Sequence, residues 1–272
     1  MAARVGQPSP VTGDGAVFRP LRSGNAFEQT VERLLQAVRQ GVVNPGERLP
    51  PERELAVRLG VSRVTLREAI GSLREAGYLT SRRGRGGGTF VVARPAPGSA
   101  PARPGSAPAR LGSDRYGSAQ PGSTRPGSAG AGSRDLVTLD DLLAVRQVLE
   151  CGAAELAAAR QLTTRQGAQL ARLTSEVERR TPADYRPADS RLHLAIAELS
   201  GSSSLAGLVA DARARINDLL DAIPLLPRNL EHSNAQHARV VAAVLTGEPA
   251  AAREAMREHL EGTGALLRGF LN

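Results

Sequence analysis

The 272-residue sequence contains no lysine, so all 35 of its basic residues are arginines. This absence excludes a Walker-A nucleotide site and a pyridoxal-phosphate Schiff base, because both require a lysine amine. The chain has one cysteine, Cys151, which excludes a disulfide framework and is typical of a protein in the reducing cytosol. We expect Cys151 to pack as a small apolar helix residue rather than to act as a nucleophile.

Aromatic residues are scarce, at 3% of the chain, so the core must be built from leucine, valine, isoleucine and alanine. No apolar run approaches the length that spans a bilayer. The first 24 residues also lack the apolar segment of a signal peptide. We therefore expect a cytoplasmic protein that makes no contact with a membrane.

The formal net charge of +8 is distributed unevenly along the chain. Residues 1–93 carry 14 arginines against 8 acidic residues, and residues 94–134 carry 6 against 1. Residues 135–272 instead carry 15 arginines against 18 acidic residues. The positive excess therefore lies in the N-terminal half, which is where a polyanion would bind.

Residues 49–79 have the pattern of two short amphipathic helices joined by a tight turn. Their expected apolar positions are Leu55, Leu59, Leu66, Ile70 and Leu73. The opposite face of the second helix carries Arg63, Arg67 and Arg74, and Ser62 stands at its N-cap position. This combination is typical of a helix-turn-helix, although two ordinary solvated helices would show a similar pattern.

The flanking segments extend the helix-turn-helix pattern. The period of apolar residues predicts a helix over 26–43. Residues 78–81 and 89–92 are expected as two short strands around a basic, glycine-rich tip. Three helices plus a β-hairpin predict a winged helix-turn-helix DNA-binding domain over residues 25–93. A phosphate cradle is the alternative for the tip, but no helix beginning with Lys-Ser or Lys-Thr follows it.

Two segments are expected to be disordered. Residues 1–24 are rich in glycine, proline and serine and form an N-terminal tail. Residues 94–134 repeat Pro-Gly-Ser units and cannot bury enough apolar surface to offset their ordering entropy. We interpret residues 94–134 as a linker whose length reflects neutral drift. A contribution of its arginines to nonspecific DNA affinity is the alternative.

Residues 135–272 have a helical pattern throughout, with no convincing strand. Thr138 is expected to cap a first helix whose apolar stripe is Leu142, Val145, Leu149 and Leu156. Thr163 and Gln166 form a potential capping box, and Pro249 is expected to open the last helix. Six helices of ordinary length predict an antiparallel all-helical bundle, so the fold class is mainly α.

Three of the four histidines lie at informative positions. Asp189 and His193 are four residues apart, so their side chains leave one face of an expected helix. His237 and His259 lie on two later helices, beside apolar residues expected to face the core. One carboxylate and three imidazoles suit Zn²⁺, or another divalent ion such as Ni²⁺ or Mn²⁺. Spacing alone does not decide, because helix-borne histidines are commonly ordinary residues; His232 has a polar context and is left out.

The stretch PGERLPPERELAVRLGVSRVTLREAIGSLREAGYLTSRRGRGGGTFV lies within residues 26–92. It resembles the DNA-binding domain of the GntR family of bacterial transcription regulators. The resemblance implies DNA contacts from the ERELA arginine, from the start of the recognition helix and from the wing tip. These implied contacts are Arg53, Ser62, Arg63, Thr65, Arg67, Arg83 and Gly84. Arginine reads guanine bidentately, whereas hydroxyls and backbone amides fix the register on phosphates.

The stretches DSRLHLAIAELSG and SNAQHARVVAAVLTGEPAAAREAMREHL resemble the FCD ligand-binding domain of the FadR-type subfamily. The resemblance implies metal binding by Asp189, His193, His237 and His259. It also implies a small organic acid as effector, completing the coordination of the metal, with Arg146 contacting that acid. Glu150 is expected to orient Arg146, and a surface ion pair is the alternative. The sequence departs from the subfamily pattern at Leu192, Gln236 and Ser202-Ser203.

These features predict a regulator in which a homodimer binds a palindromic operator on double-stranded DNA, most simply as a repressor, and responds to a carboxylate effector. An alternative is a metal-dependent enzyme with an autoregulatory DNA-binding head. A third interpretation is a regulator whose bundle serves only for dimerisation.

Overall fold

The structure is a computed structural model that describes residues 24–92, 138–181 and 183–271. The expected linker, residues 94–134, lies outside these residues, and so does the expected tail, residues 1–24, except for Gly24. No helix in the described ranges combines the length and the apolar character needed to cross a bilayer.

The N-terminal part contains three helices followed by a hairpin, as the sequence predicts. The elements are α1 (Ala26–Arg39), α2 (Glu52–Leu59), α3 (Arg63–Glu75), β1 (Leu79–Arg82) and β2 (Gly88–Val91). The strands pair antiparallel, with Leu79 opposite Val91 and Arg82 opposite Gly88. This order of elements confirms the winged helix-turn-helix.

The turn between α2 and α3 depends on local backbone chemistry. Gly60 ends α2 in the left-handed conformation, with φ of 65°, which glycine adopts without a steric penalty. Ser62 then caps α3, because its side chain accepts a hydrogen bond from the backbone N–H of Thr65. All five apolar residues expected to face inward are buried: Leu55, Leu59, Leu66, Ile70 and Leu73.

Helix α1 ends four residues before the expected end at residue 43. Gly41 has φ of 70°, which breaks the helical path after Gln40. The backbone N–H groups of Val42 and Val43 then bond back to the carbonyl oxygen of Ala37. The periodic pattern of apolar residues extended the predicted helix to residue 43, because Val43 is a core residue. Val43 is buried in the structure, but it lies outside the helix.

The second half of the described chain folds into six helices. They are α4 (Leu139–Ala158), α5 (Thr164–Glu178), α6 (Tyr185–Leu199), α7 (Ser203–Asp221), α8 (Pro227–Thr246) and α9 (Pro249–Leu271). Thr138 caps α4, and the capping box of Thr163 and Gln166 opens α5, both as expected. Pro249 is the first residue of α9, also as expected. Cys151 is buried in an apolar cluster, and burial raises its pKa to about 11.

The sequence predicted an apolar stripe on the buried face of α4, and this prediction is wrong for two of its four residues. Val145 and Leu156 are 44% and 47% exposed, whereas Leu142 is buried. The inward face instead carries Arg146 and Glu150, each only 2% exposed. Their ion pair, with 2.7 Å between Nε and Oε1, is therefore not a surface pair. The rotation of α4 is set by polar partners on other helices.

Helix α1 packs along α9 and joins the two parts of the described chain. Phe27 and Leu34 of α1 share one apolar cluster with Leu267 and Phe270 of α9. The approach is close at Gly269, where an added Cβ would lie 3.0 Å from the Cα of Glu32. Winged head and helical domain therefore share a continuous core at this contact.

Candidate metal centre and nucleic-acid interface

Four potential ligands from three helices converge in the interior of the helical domain. Asp189 and His193 lie on α6, His237 on α8 and His259 on α9, and all four are buried. One ligand atom from each residue lies within 4.8 Å of the others. The structure therefore brings together all four residues that the sequence singled out.

The distances between these ligand atoms suit a small cation. Nε2 of His237 lies 3.2 Å from Nε2 of His193, 3.3 Å from Nε2 of His259 and 3.1 Å from Oδ1 of Asp189. Nε2 of His193 is 3.8 Å from the same Oδ1. Ligands about 2.0 Å from a tetrahedral Zn²⁺ are separated by about 3.3 Å.

Hydrogen bonds on the far side of two rings point their Nε2 lone pairs at this centre. Nδ1 of His193 contacts Oε2 of Glu150, and Nδ1 of His259 lies 3.3 Å from Oε1 of Gln236. Both oxygens accept, so in each neutral ring the proton lies on Nδ1 and Nε2 is a bare acceptor. Nε2 of His237 therefore faces two acceptors and a carboxylate oxygen, which a bound cation would satisfy together.

Two arginines hold the carboxylates of the site. Nη2 of Arg213, on α7, bonds Oδ2 of Asp189, and its Nη1 lies 3.5 Å from Oε2 of Glu150. Burial alone would raise the pKa of Glu150, but Arg146, His193 and Arg213 hold that pKa well below its usual value. For Asp189, burial is likewise outweighed, chiefly by Arg213, and the pKa is lowered. Both carboxylates are therefore ionised.

Two of the three imidazoles of the site, those of His193 and His259, are kept neutral. Burial, together with the positive charge of Arg213, lowers the pKa of His193 to about 4. Burial and the neighbouring imidazoles hold the pKa of His259 well below its usual value. Neutral imidazole is the form that binds a metal.

A pocket opens beside the candidate ligands. It has about 520 Å³ of empty volume, part of it open to solvent, and is lined by Arg146, Asp189 and His259 together with Tyr185 and Ser233. Nη1 of Arg146 is buried and has no hydrogen-bond partner among the described residues. A buried, unpaired guanidinium nitrogen in the wall of a pocket suits an anionic ligand.

The residues expected to contact DNA lie mostly on the surface of the winged head. Arg53, Arg63 and Arg67 are exposed on α2 and α3, and Arg83 and Gly84 are exposed in the hairpin turn. Thr65 is half-buried, and its Oγ1 lies 2.8 Å from Oγ of the exposed Ser62. Nε of Arg67 also pairs with Oε2 of Glu52 at 2.9 Å across the turn. The wing tip bends at Gly84, whose φ is 94°.

Sequence reasoning missed Arg213 and did not assign a role to Gln236. The available signal for Arg213 was its place in the buried stripe of α7, between Ala212 and Ile216. A charged residue at a core position of a helix indicates a buried partner. His232 lies outside the centre, where its Nδ1 is 3.2 Å from Oε1 of Glu28.

Two family models match the chain. Residues 26–91 match the bacterial regulatory proteins of the gntR family, and residues 141–262 match the FCD domain. A protein of Mycobacterium gastri named as an HTH-type transcriptional regulator, RmpR, is 30% identical over 259 residues. That match covers 93% of this chain and 84% of the relative. The chain belongs to the GntR family.

Other relatives of this GntR-family protein are also regulators. The Uxu operon transcriptional regulator of Escherichia coli K12 is 30% identical over 266 residues, which is 93% of this chain and 92% of the relative. An E. coli K12 protein named as an L-lactate dehydrogenase operon regulatory protein is 29% identical over 248 residues, 89% of this chain and 86% of the relative. The chain is thus a DNA-binding transcriptional regulator with an FCD domain, and not an enzyme.

The buried ion pairs predict an unequal cost of removing arginines. In chelator-treated protein, Arg213→Met should lower the free energy of unfolding by about 3–5 kcal/mol, because Asp189 and Glu150 would keep only Arg146 as a buried counter-charge. Denaturant titration measures this loss. Added Zn²⁺ should restore part of it, since the cation replaces the lost positive charge.

Arg253→Met is the matched control, because Arg253 pairs with Glu155 on the surface. Its effect on the unfolding midpoint should be much smaller, since solvent screens an exposed pair. Equal stability of the two variants would contradict the role assigned to Arg213.

Proposed function

We propose that this GntR-family protein is a one-component regulator whose FCD domain binds a divalent metal and a small carboxylate effector. The observation that carries the proposal is the convergence of Nε2 of His237 with two imidazole acceptors and the Asp189 carboxylate. In this scheme residues 25–93 read DNA and residues 135–272 bind effector and dimerise. Residues 1–24 and 94–134 are the tail and the linker.

The metal site would consist of Asp189, His193, His237 and His259. Zn²⁺ is the ion we favour, because three nitrogens and one oxygen at these separations suit tetrahedral coordination. Ni²⁺ and Mn²⁺ accept the same donor types. Glu150 and Gln236 would orient the ligand rings from their Nδ1 sides.

Charge balance supports an anionic effector. Arg146 and Arg213 neutralise Glu150 and Asp189, so these four buried side chains together carry no net charge before a metal binds. A divalent cation would add two positive charges to this interior, where uncompensated charge is costly. A carboxylate in the adjoining pocket would offset that charge and pair with Nη1 of Arg146.

The DNA-binding surface would consist of Arg53, Ser62, Arg63, Thr65, Arg67, Arg83 and Gly84. Its support is that all seven lie on one winged head, where all of them except the half-buried Thr65 are exposed. A second copy of the chain is the proposed partner of the apolar face of α4, where Val148 is 72% exposed beside Val145 and Leu156. A homodimer suits a palindromic operator, because two heads related by a dyad read two half-sites. A dimer bound to such an operator would block transcription, so we propose that the protein is a repressor that acts in the cytoplasm.

Removing two ligands tests the metal site. The double variant His193→Ala/His237→Ala should lose bound zinc, because two of the four donors are gone. Elemental mass spectrometry of the purified, zinc-loaded protein measures the content. His232→Ala is the matched control and should keep its zinc, since His232 lies outside the centre. Zinc content equal to that of the unchanged protein in the double variant would refute the site.

Arginine substitutions on the recognition helix test the DNA surface. Arg63→Ala and Arg67→Ala should each weaken binding to a duplex from upstream of the protein's own gene by about 10- to 100-fold. Fluorescence anisotropy measures the affinity. Arg165→Ala, an exposed arginine of α5, should bind like the unchanged protein. The zinc content of both variants and their molecular mass, measured by sedimentation, should not change. Retained DNA affinity would contradict the assignment of α3 as the reading helix.

Substitution of Arg146 tests the effector site. Zinc-loaded Arg146→Met should bind L-lactate or succinate at least about 10-fold more weakly than the unchanged protein, because one charge-assisted hydrogen bond is lost. Calorimetry with both acids measures the affinities. Arg172→Met, at an exposed position of α5, is the control and should leave them unaltered. Binding of neither acid by the unchanged protein would favour a domain that serves only for dimerisation.

A further inference from the structure

Asn25, the residue just before α1, directs its side chain to the helical domain instead of its own helix. Its Nδ2 donates to the carbonyl oxygen of Glu258 at 2.7 Å, and its Oδ1 accepts from Nε2 of Gln236 at 2.8 Å. Asparagine at this position commonly accepts a hydrogen bond from its own helix, which Asn25 does not do within the described residues. The start of the DNA-binding head is therefore held by α8 and α9.

Gln236 joins Asn25 to a candidate metal ligand. The side chains of both residues are buried, as is that of His259. Oε1 of Gln236 accepts from Nδ1 of His259 at 3.3 Å, while its Nε2 donates to Asn25. Three consecutive hydrogen bonds thus run from His259 through Gln236 and Asn25 to the backbone of Glu258, all with donors pointing the same way.

The direction of these hydrogen bonds depends on which nitrogen of His259 carries the proton. Coordination through Nε2 requires the proton on Nδ1, which must face the carbonyl of Gln236. With the proton on Nε2, Nδ1 becomes an acceptor and the Gln236 amide must turn around. Its carbonyl would then face Oδ1 of Asn25, and two oxygens without a proton repel each other. The connection therefore favours the metal-binding tautomer.

Packing at this contact leaves little room to absorb a change. A Cβ added to Gly262 of α9 would lie 2.8 Å from Oδ1 of Asn25. Helix α1 in turn packs against α3, the proposed reading helix. A shift of Asn25 is therefore passed to α1 and from there to α3, because close-packed interiors transmit displacement.

We propose that Gln236 is a positioning residue that couples occupancy of the metal centre to the anchoring of α1 through Asn25. This coupling rests on the proposed metal site. A metal that selects the Nδ1–H form of His259 stabilises the anchored state of the head. By linkage, an anchored head raises the metal affinity by the same factor.

The experiment uses the full chain with Zn²⁺ alone as the probe, without effector or DNA. Hydrogen exchange followed by mass spectrometry compares peptides from α1 and from around His259, with and without zinc. In the unchanged protein, zinc should slow exchange at the start of α1 by about 2- to 10-fold, the effect of one additional stable hydrogen bond.

Two variants interrupt the connection at different points. Gln236→Glu keeps an acceptor for Nδ1 of His259 but cannot donate to Asn25. Asn25→Ala removes the hydrogen-bonding side chain on the winged head and leaves the hydrogen bond between Gln236 and His259 in place. Both variants should bind zinc. In both, zinc should slow hydrogen exchange around His259 but should leave exchange in α1 unchanged. Asn25→Ala should also bind zinc about 2- to 10-fold more weakly. Arg228→Met breaks the contact of Arg228 with Glu68 and should keep the zinc effect in α1.

The outcomes separate the coupling from the metal site itself. If Asn25→Ala shows the same zinc-dependent protection of α1 as the unchanged protein, the coupling is wrong. Zinc binding by the unchanged protein with no change in α1 would also overturn the coupling alone. If the unchanged protein binds no zinc, both the metal site and the coupling are overturned.

Discussion

The ion pair between Arg213 and Asp189 lies in the interior of the helical domain, and the packing of three helices, α4, α6 and α7, depends on it. Arg213 of α7 also faces Glu150 of α4, which in turn contacts His193 of α6. These charges are buried, so each helix must take the rotation that brings its polar group to the cluster. Apolar packing alone would permit several rotations of a leucine- and alanine-rich helix, whereas this set of pairs permits one.

Helix α4 illustrates why part of the structure could not be predicted from the sequence. The periodic pattern placed Val145 and Leu156 in the core because it counts only apolar residues. In the structure Arg146 and Glu150 take the inward positions, since Arg213 and His193 come from distant parts of the chain to contact Glu150, which pairs with Arg146. No local rule contains that information. The caps at Thr138 and Thr163 were predicted correctly because they depend on residues within one turn.

The candidate ligands were predictable for a similar reason. Asp189 and His193 are neighbours on one helical turn, and the apolar neighbours of His237 and His259 indicated that these two face the core, which the resemblance to FCD domains supported. The residues that hold these ligands in place were not predictable, because Arg213, Glu150 and Gln236 act through contacts between helices. The winged head followed from its sequence almost completely, except where Gly41 ends α1 early while Val43 remains in the core.

Helix α1 belongs to the winged head in sequence but packs on α9 over much of its length. Phe27 and Leu34 lie in one apolar cluster with Leu267 and Phe270, and Tyr78 near the hairpin meets the Phe270 ring with centroids 5.4 Å apart. The same α9 carries His259, so two helix contacts, α9 on α1 and α1 on α3, connect the candidate metal centre to the proposed reading helix. A head attached only by a long linker would need a second device to sense the helical domain. Here the shared core fixes the geometry, and the amides of Gln236 and Asn25 are the polar groups through which a change at His259 reaches it.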